Sequence, residues 1–180
     1  MRSRLTAGLL AIFASGVLSA STLRQLSLDD MILQSSMIVR GKVQPGFAML
    51  HGSMIFSHYT IQVSEVYKGS AASQVDIGVP GGAMNGAVQR FAGAPALSTT
   101  QDYVFFIWTS KTGLSQVIGL SQGLFSVISI GGSAPMVVRA AATERMLNSA
   151  GQPVQDNDIR MSLADLKSHI QSVLAARSGQ

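Results

Sequence analysis

His51 and His58 stand seven residues apart around Gly52-Ser53-Met54, a turn-forming centre. On a hairpin the two imidazoles would face each other, where they could share a metal ion. Two histidines need a third ligand, and no acidic residue lies beside them in the chain, so exposed loop histidines compete with a metal site and no metal or cofactor is expected. His169 lies beside Lys167, off the apolar stripe of the C-terminal stretch, and is expected on a solvated helix face. The chain has no cysteine, which excludes disulfides, thiolate metal sites, iron–sulfur clusters and cysteine nucleophiles. Leu120-Ser121-Gln122-Gly123 and Ile130-Gly131-Gly132-Ser133 read as turns, and no catalytic residue is assigned.

Val79-Pro80-Gly81-Gly82-Ala83-Met84-Asn85-Gly86 is the most unusual segment. Its glycines permit close backbone approach. It lacks the Lys-Ser/Thr that follows the last glycine of a phosphate-binding loop. Pro80, Gly81, Gly82, Met84 and Asn85 are therefore the expected recognition loop, with a wide turn as the plainer alternative. Glu65 is expected to form a cross-strand ion pair with Arg40 or Lys42. Met31, Met37, Met49, Met54 and Met84 concentrate in the first half of the chain, where core filling is favoured over an adaptable binding surface.

These residues need a scaffold, and its class follows from composition and pattern. The chain has 180 residues, 47% apolar and 12% charged, enough for one domain with its own core. Met1-Arg2-Ser3-Arg4, the uncharged run Leu5 to Leu18 and the small residues Ser19-Ala20-Ser21 read as a secretory signal peptide over residues 1–20. An uncleaved N-terminal anchor is the competing assignment. Loss of Arg2 and Arg4 takes 13 basic residues to 11, against nine acidic ones, so the formal charge falls from +4 to +2. The remaining basic residues are scattered singly, which argues against nucleic acid. No second long apolar run follows, so no membrane span is expected after cleavage. A periplasmic or extracellular location is the expectation.

Along residues 21–150 a short helix opens at Ser27, and strands follow over Met37–Val43, Ile55–Tyr67, Val75–Val79, Val88–Phe91, Tyr103–Trp108, Leu114–Gly119, Leu124–Ile130 and Met136–Arg139. Phe47 to Ser53 reads as a loop or the tip of a long hairpin. Strict alternation places Tyr59, Ile61, Val63, Glu65 and Tyr67 on one face of the long strand. Gly41 inside its strand predicts a bulge or bend. Residues 151–180 read as a polar linker, Gly151 to Asp158, and an amphipathic helix capped by Ser162, whose Leu163, Leu166, Ile170, Val173 and Leu174 stripe should dock on the strands. A short helical turn is considered over Thr143 to Leu147. The fold class is mostly β: an antiparallel barrel with a short N-terminal and an amphipathic C-terminal helix.

The order of a helix, Met37-Ile38-Val39-Arg40-Gly41-Lys42-Val43, then a long strand ending Tyr67-Lys68-Gly69 resembles the netrin-like module, the OB-type barrel of tissue inhibitors of metalloproteinases and related bacterial exported proteins. The resemblance spans Ser27 to Ile130. A second resemblance is to uncharacterised bacterial exported proteins carrying Val79-Pro80-Gly81-Gly82. The netrin-like likeness implies an OB-like barrel and a protein partner, such as an exported protease. The inhibitors' zinc-chelating N-terminal cysteine has no counterpart here, so that mechanism transfers to no residue. The expectation is an exported, non-catalytic module that binds a protein through barrel-rim loops. A metal-dependent protein or hydrolase using His51 and His58 is the alternative, and a structural envelope component the third.

Overall fold

Ser27 starts the first helix, α1 (Leu28–Gln34), through a capping box: its hydroxyl accepts from the Asp30 amide at 3.0 Å, and the Asp30 carboxylate accepts from the Ser27 amide. The computed structural model describes residues 22–179, and the expected signal peptide lies outside them. The strands are β1 (Thr22–Arg24), β2 (Met37–Val43), β3 (Phe47–His51), β4 (Met54–Lys68), β5 (Gln74–Pro80), β6 (Gly82–Met84), β7 (Ala87–Gln89), β8 (Asp102–Thr109), β9 (Ser115–Val117), β10 (Leu124–Ile128), β11 (Met136–Arg139), β12 (Arg145–Leu147), β13 (Pro153–Val154) and β14 (Ile159–Ser162). The C-terminal helix α2 spans Leu163–Ser178. Among the described residues no helix is long and apolar enough to cross a membrane.

The main sheet is antiparallel and runs β14-β11-β10-β8-β2-β4, with β3 and β5 also paired to β4 and β9 to β8. β8 is continuously apolar because both its faces are covered. Val104 and Phe106 face a layer with Met31 and Ile32 of α1 and Leu163, Leu166 and Ile170 of α2. Phe105 and Ile107 face a second layer with Val39, Val43, Ile61, Ile77 and Val117. The docking stripe expected on α2 is thus in place.

No ladder joins β5 to β9 among the described residues, so the expected barrel does not close by continuous strand pairing. The two edges nevertheless meet through side chains: Ile77 of β5 and Val117 of β9 share the second layer, and Leu114, just before β9, lies close against Gly78 of β5. Gly41 marks the expected irregularity. The β2–β4 register shifts between Arg40 and Gly41 and again between Ile38 and Val39, and a Cβ on Gly41 would collide with the Gln62 carbonyl oxygen.

These bulges correct the single face expected for the long strand. Tyr59, Ile61 and Val63 pack in the second layer, but Tyr67 joins the helix-covered layer. Each extra residue in an antiparallel pair reverses the side to which the following side chains point. Glu65 consequently sits beside α2, bonded to Arg40 at 3.1 Å and to Lys167 at 2.5 Å. Arg40 also binds Asp102, with its Nε at 2.9 Å and its terminal nitrogen at 2.7 Å.

The end of β4 locks α1. Lys68 donates to the carbonyls of Ile32 (2.6 Å), Leu33 (3.0 Å) and Ser35 (2.6 Å), acceptors that a helix C-terminus leaves open. Gly69 turns away at φ +75°, and a Cβ there would meet the Ser36 carbonyl oxygen at 2.6 Å.

Three further expectations change. Thr143 to Leu147 forms no helical turn; β12 lies there instead, parallel to β1 and antiparallel to β13. Gly151 to Asp158 is no free linker, because the buried Asp156 grips the buried Arg139 through contacts of 2.6 and 3.0 Å. Of the two alternatives for Phe47 to Ser53, the long hairpin holds and the loop does not, with β3 paired to β4 from Phe47–His58 to His51–Met54.

Candidate functional site

The β3–β4 hairpin has no Asp, Glu, Lys or Arg between Lys42 and Glu65. Its turn is Gly52-Ser53, with Gly52 at φ +65°. Cross-strand register puts Phe47, Met49 and His51 of β3 on the same face as Met54, Phe56 and His58 of β4. Twist in such a ribbon brings the two histidines together. His51 Nε2 and His58 Nε2 are 2.9 Å apart, with ring centroids at 5.1 Å and planes inclined by 26°. Phe47 stacks on His58 at 5.5 Å, and Phe56 meets His51 edge-on at 5.2 Å.

His58 is 4% exposed, and its Nδ1 lies 2.9 Å from Asp76 Oδ2 on β5. Because a carboxylate can only accept, His58 donates from Nδ1 to Asp76, and its Nε2 is the nitrogen turned toward His51. No acidic neighbour is visible near either histidine in the chain. Asp76 arrives because β5 pairs with β4, with Thr60 opposite Asp76 and His58 opposite Gly78. Alternation within Val75–Val79 is the one sequence signal that would have found it, since it puts Asp76 on the face opposite Ile77.

The proposed recognition loop adjoins this hairpin. The Gly81 amide donates to the Ile55 carbonyl at 2.8 Å, and Ser57 Oγ donates to the Gly81 carbonyl at 2.9 Å. Gly81 (φ +101°) and Gly82 (φ +147°) occupy backbone conformations that favour glycine. A Cβ on Gly82 would lie 2.7 Å from Ser57 Oγ. The close approach that these glycines permit is therefore made to the chain's own β4. The segment after them is not a loop but the β6–β7 hairpin, with Asn85 (φ +50°) and Gly86 (φ +78°) as its two-residue turn. Asn-Gly between paired strands is a strong hairpin signal, and it stands in the sequence. Gln89 ties this hairpin to the other: its side-chain oxygen accepts from the Ile55 amide at 2.7 Å, and its nitrogen donates to the Ser53 carbonyl at 3.1 Å.

Around the two hairpins lie Phe47, Met49, Leu50, Met54, Val88 and Phe91, six of the ten exposed large apolar side chains among the described residues. Of the methionines expected in the core, Met31 is buried, but Met49 and Met54 are exposed on this hairpin. Among the described residues β3 pairs only with β4, which leaves its outer edge without a strand partner.

The chemical alternatives meet clear geometry. Gly119-Leu120-Ser121-Gln122-Gly123 has the spacing of a nucleophile elbow, a match that a plain turn assignment passes over. It forms a 3-10 turn between β9 and β10, the left-handed residues are Gly119 and Leu120, and the buried Gln122 bonds the Leu26 amide and the Arg24 carbonyl. The elbow needs a strand-to-helix turn with the serine itself strained. Among the described residues no hydroxyl bonds to His51 or His58, and no group of three or more His, Cys, Asp or Glu gathers as a metal site. His169 bridges the helices, with Nε2 2.6 Å from Asp29 Oδ1.

A second cleft, about 340 Å³, is lined by Arg40, Lys42, Gln62, Ser64, Glu65 and Asp102. Among the described residues, three of its four charged side chains, Arg40, Glu65 and Asp102, are ion-paired, and Lys42 is not. The Lys167 hydrogen bond draws the Glu65 carboxyl down against the opposing effect of burial, and the Asp102 hydrogen bond raises the Arg40 guanidinium. Burial, with Glu65 beside it, raises the Tyr67 phenol. The Arg40, Glu65 and Asp102 charges thus serve one another and α2, while the Tyr67 hydroxyl is buried without a hydrogen-bond partner among the described residues.

In comparison with known proteins, no family model matches the chain, and no curated protein or solved structure matches it.

Proposed function

We propose that this protein is an exported binding module that holds a protein partner against the β3–β4 and β6–β7 hairpins. The observation that carries this reading is the concentration of exposed apolar side chains at one end of a chain whose other large apolar groups are mostly buried. The partner's chemistry follows from the surface. No formal charge lies between Lys42 and Glu65 or between Asp76 and Arg90, so an uncharged, apolar segment is favoured. The open β3 edge suits an extended segment that adds as a strand. An OB-like, netrin-like arrangement is part of this proposal. It is supported by the coiled β4, the Gly41 bulge and the side-chain meeting of β5 with β9. The Ser19-Ala20-Ser21 cleavage pattern supports export.

The test is recovery of cross-linked partners from periplasm and culture medium. Leu50→Ser and Val88→Ser change exposed side chains away from the histidine face. The double variant should melt as the parent does and lose at least about tenfold in partner recovery, since truncating an interface anchor costs on the order of 2 kcal/mol. Unchanged recovery by a folded double variant would refute the proposal. So would self-association through these hairpins in sedimentation, because the occupant would then be a second copy of the chain.

A further inference from the structure

The histidine face has a property that protein docking does not require. Two imidazole nitrogens, His51 Nε2 and His58 Nε2, converge to 2.9 Å and have no other partner among the described residues. Nitrogens that share one metal ion at about 2.0 Å each sit about 3.3 Å apart at a tetrahedral angle. A shift of a few tenths of an ångström at the exposed His51 would open that space. His58 is already oriented as a ligand: Asp76 holds its Nδ1 proton, the carboxylate–histidine arrangement that fixes the tautomer and aims Nε2 at a metal. Phe47 and Phe56 confine the two rings.

The other donors on this face decide which ion fits. Met49, opposite Phe56, and Met54, opposite His51, present thioethers on flexible stems, while among the described residues no group of three or more His, Cys, Asp or Glu forms a ligand set here. All four donors are neutral; imidazole serves copper and zinc alike, and the soft thioethers tip the set toward copper(I) over the harder divalent ions. Charge agrees with this. Among the described residues Asp76 is the only charged side chain bonded to either histidine, and one carboxylate balances a monovalent ion but leaves a divalent one uncompensated beside apolar rings. We infer that the Met49–His51–Met54–His58 face is a copper(I) site, with His51 and His58 as ligands, Met49 or Met54 completing the sphere and Asp76 as the positioning residue. This inference does not rest on the docking proposal, whose test variants leave the four side chains intact.

The experiment is anaerobic competition of the purified protein with a coloured copper(I) chelator. One copper(I) per chain should be withdrawn from the chelator. His51→Ala should abolish the withdrawal with an unchanged melting curve. Asp76→Asn should weaken binding about 10–100-fold, the usual effect of losing a partner of a ligating histidine. His58 is buried and its variants risk misfolding, so the parent protein supplies a second readout. Copper(I) is diamagnetic, and its addition should shift the ring protons of His51 and His58 and the methyl of Met49 or Met54, leaving His169 and Met84 unmoved. No withdrawal, withdrawal that survives His51→Ala, or shifts centred elsewhere would overturn the assignment. Zinc(II) held at equal stoichiometry against an equally strong chelator would overturn the choice of ion.

Discussion

Arg139 and Asp156 show how much one pair of side chains can hold. Burial pushes the Asp156 carboxyl up, but the Arg139 hydrogen bond and the Ala142 amide prevail and bring it down to about 2. Arg139 also donates to the Asn157 carbonyl at 3.0 Å. Together these bonds fasten the segment before β14 to β11. Arg139→Met should destabilise the protein by about 3–5 kcal/mol, because it strands a buried carboxylate. Arg139→Met with Asp156→Leu should cost less than the single change, and urea midpoints would test both. The depressed carboxyl fixes the sign of the acid response. Its contribution is complete above the unfolded value near 4 and disappears as pH falls through about 2, a loss on the order of 2 kcal/mol. The urea midpoint of the parent should therefore fall over that window, and the double variant should lack this part of the fall. Gly151 to Asp158 resembles a linker in sequence because one Asp among polar neighbours does not reveal a buried partner.

Among the elements, the junction of α1 with β4 depends on Lys68. Burial and the nearby Arg177 disfavour its charge, and three carbonyls hold it in place. Lys68→Met should remove about 1–3 kcal/mol, the cost of leaving such acceptors without a charged donor. Thermal melting measures it, and an unchanged melting temperature would show that water serves α1 equally well. The Tyr67-Lys68-Gly69 ending of the long strand thus has a local reason: the lysine caps a helix, and the glycine turns where a Cβ would collide. Elements with caps or clean periodicity were legible in sequence, namely α1, α2, β2, β4, β5 and β8. The short strands β1, β12, β13 and β14 were not. Each has two to four residues, too few for alternation to emerge, and each exists because a neighbour offers an edge. The face reversal in β4 was equally hidden, since a bulge depends on which residues of two strands pair.

For the whole molecule, β8 is the shared floor of two apolar layers. Phe105 and Phe106 point to opposite sides and are both fully buried. Phe105→Ala and Phe106→Ala should each cost about 3–5 kcal/mol. Because neither layer exists without the strand, both variants should keep one unfolding transition, coincident by circular dichroism and by fluorescence of Trp108 at the end of the same strand. Two separated transitions would mean that the layers fold independently.

Sequence alone determined the mostly β character, the capped helices with their apolar stripe, the irregularity at Gly41 and the pairing of Glu65 with Arg40 or Lys42. Each of these is written in local spacing and in the stereochemistry of single residues. Tertiary structure decided the rest. It brought Asp76 to His58, laid the Gly81–Gly82 backbone on β4, gathered six apolar side chains at one end and left β5 and β9 touching without a ladder. All four depend on strands distant in the chain becoming neighbours, and that register is set by the sheet as a whole rather than by any one segment.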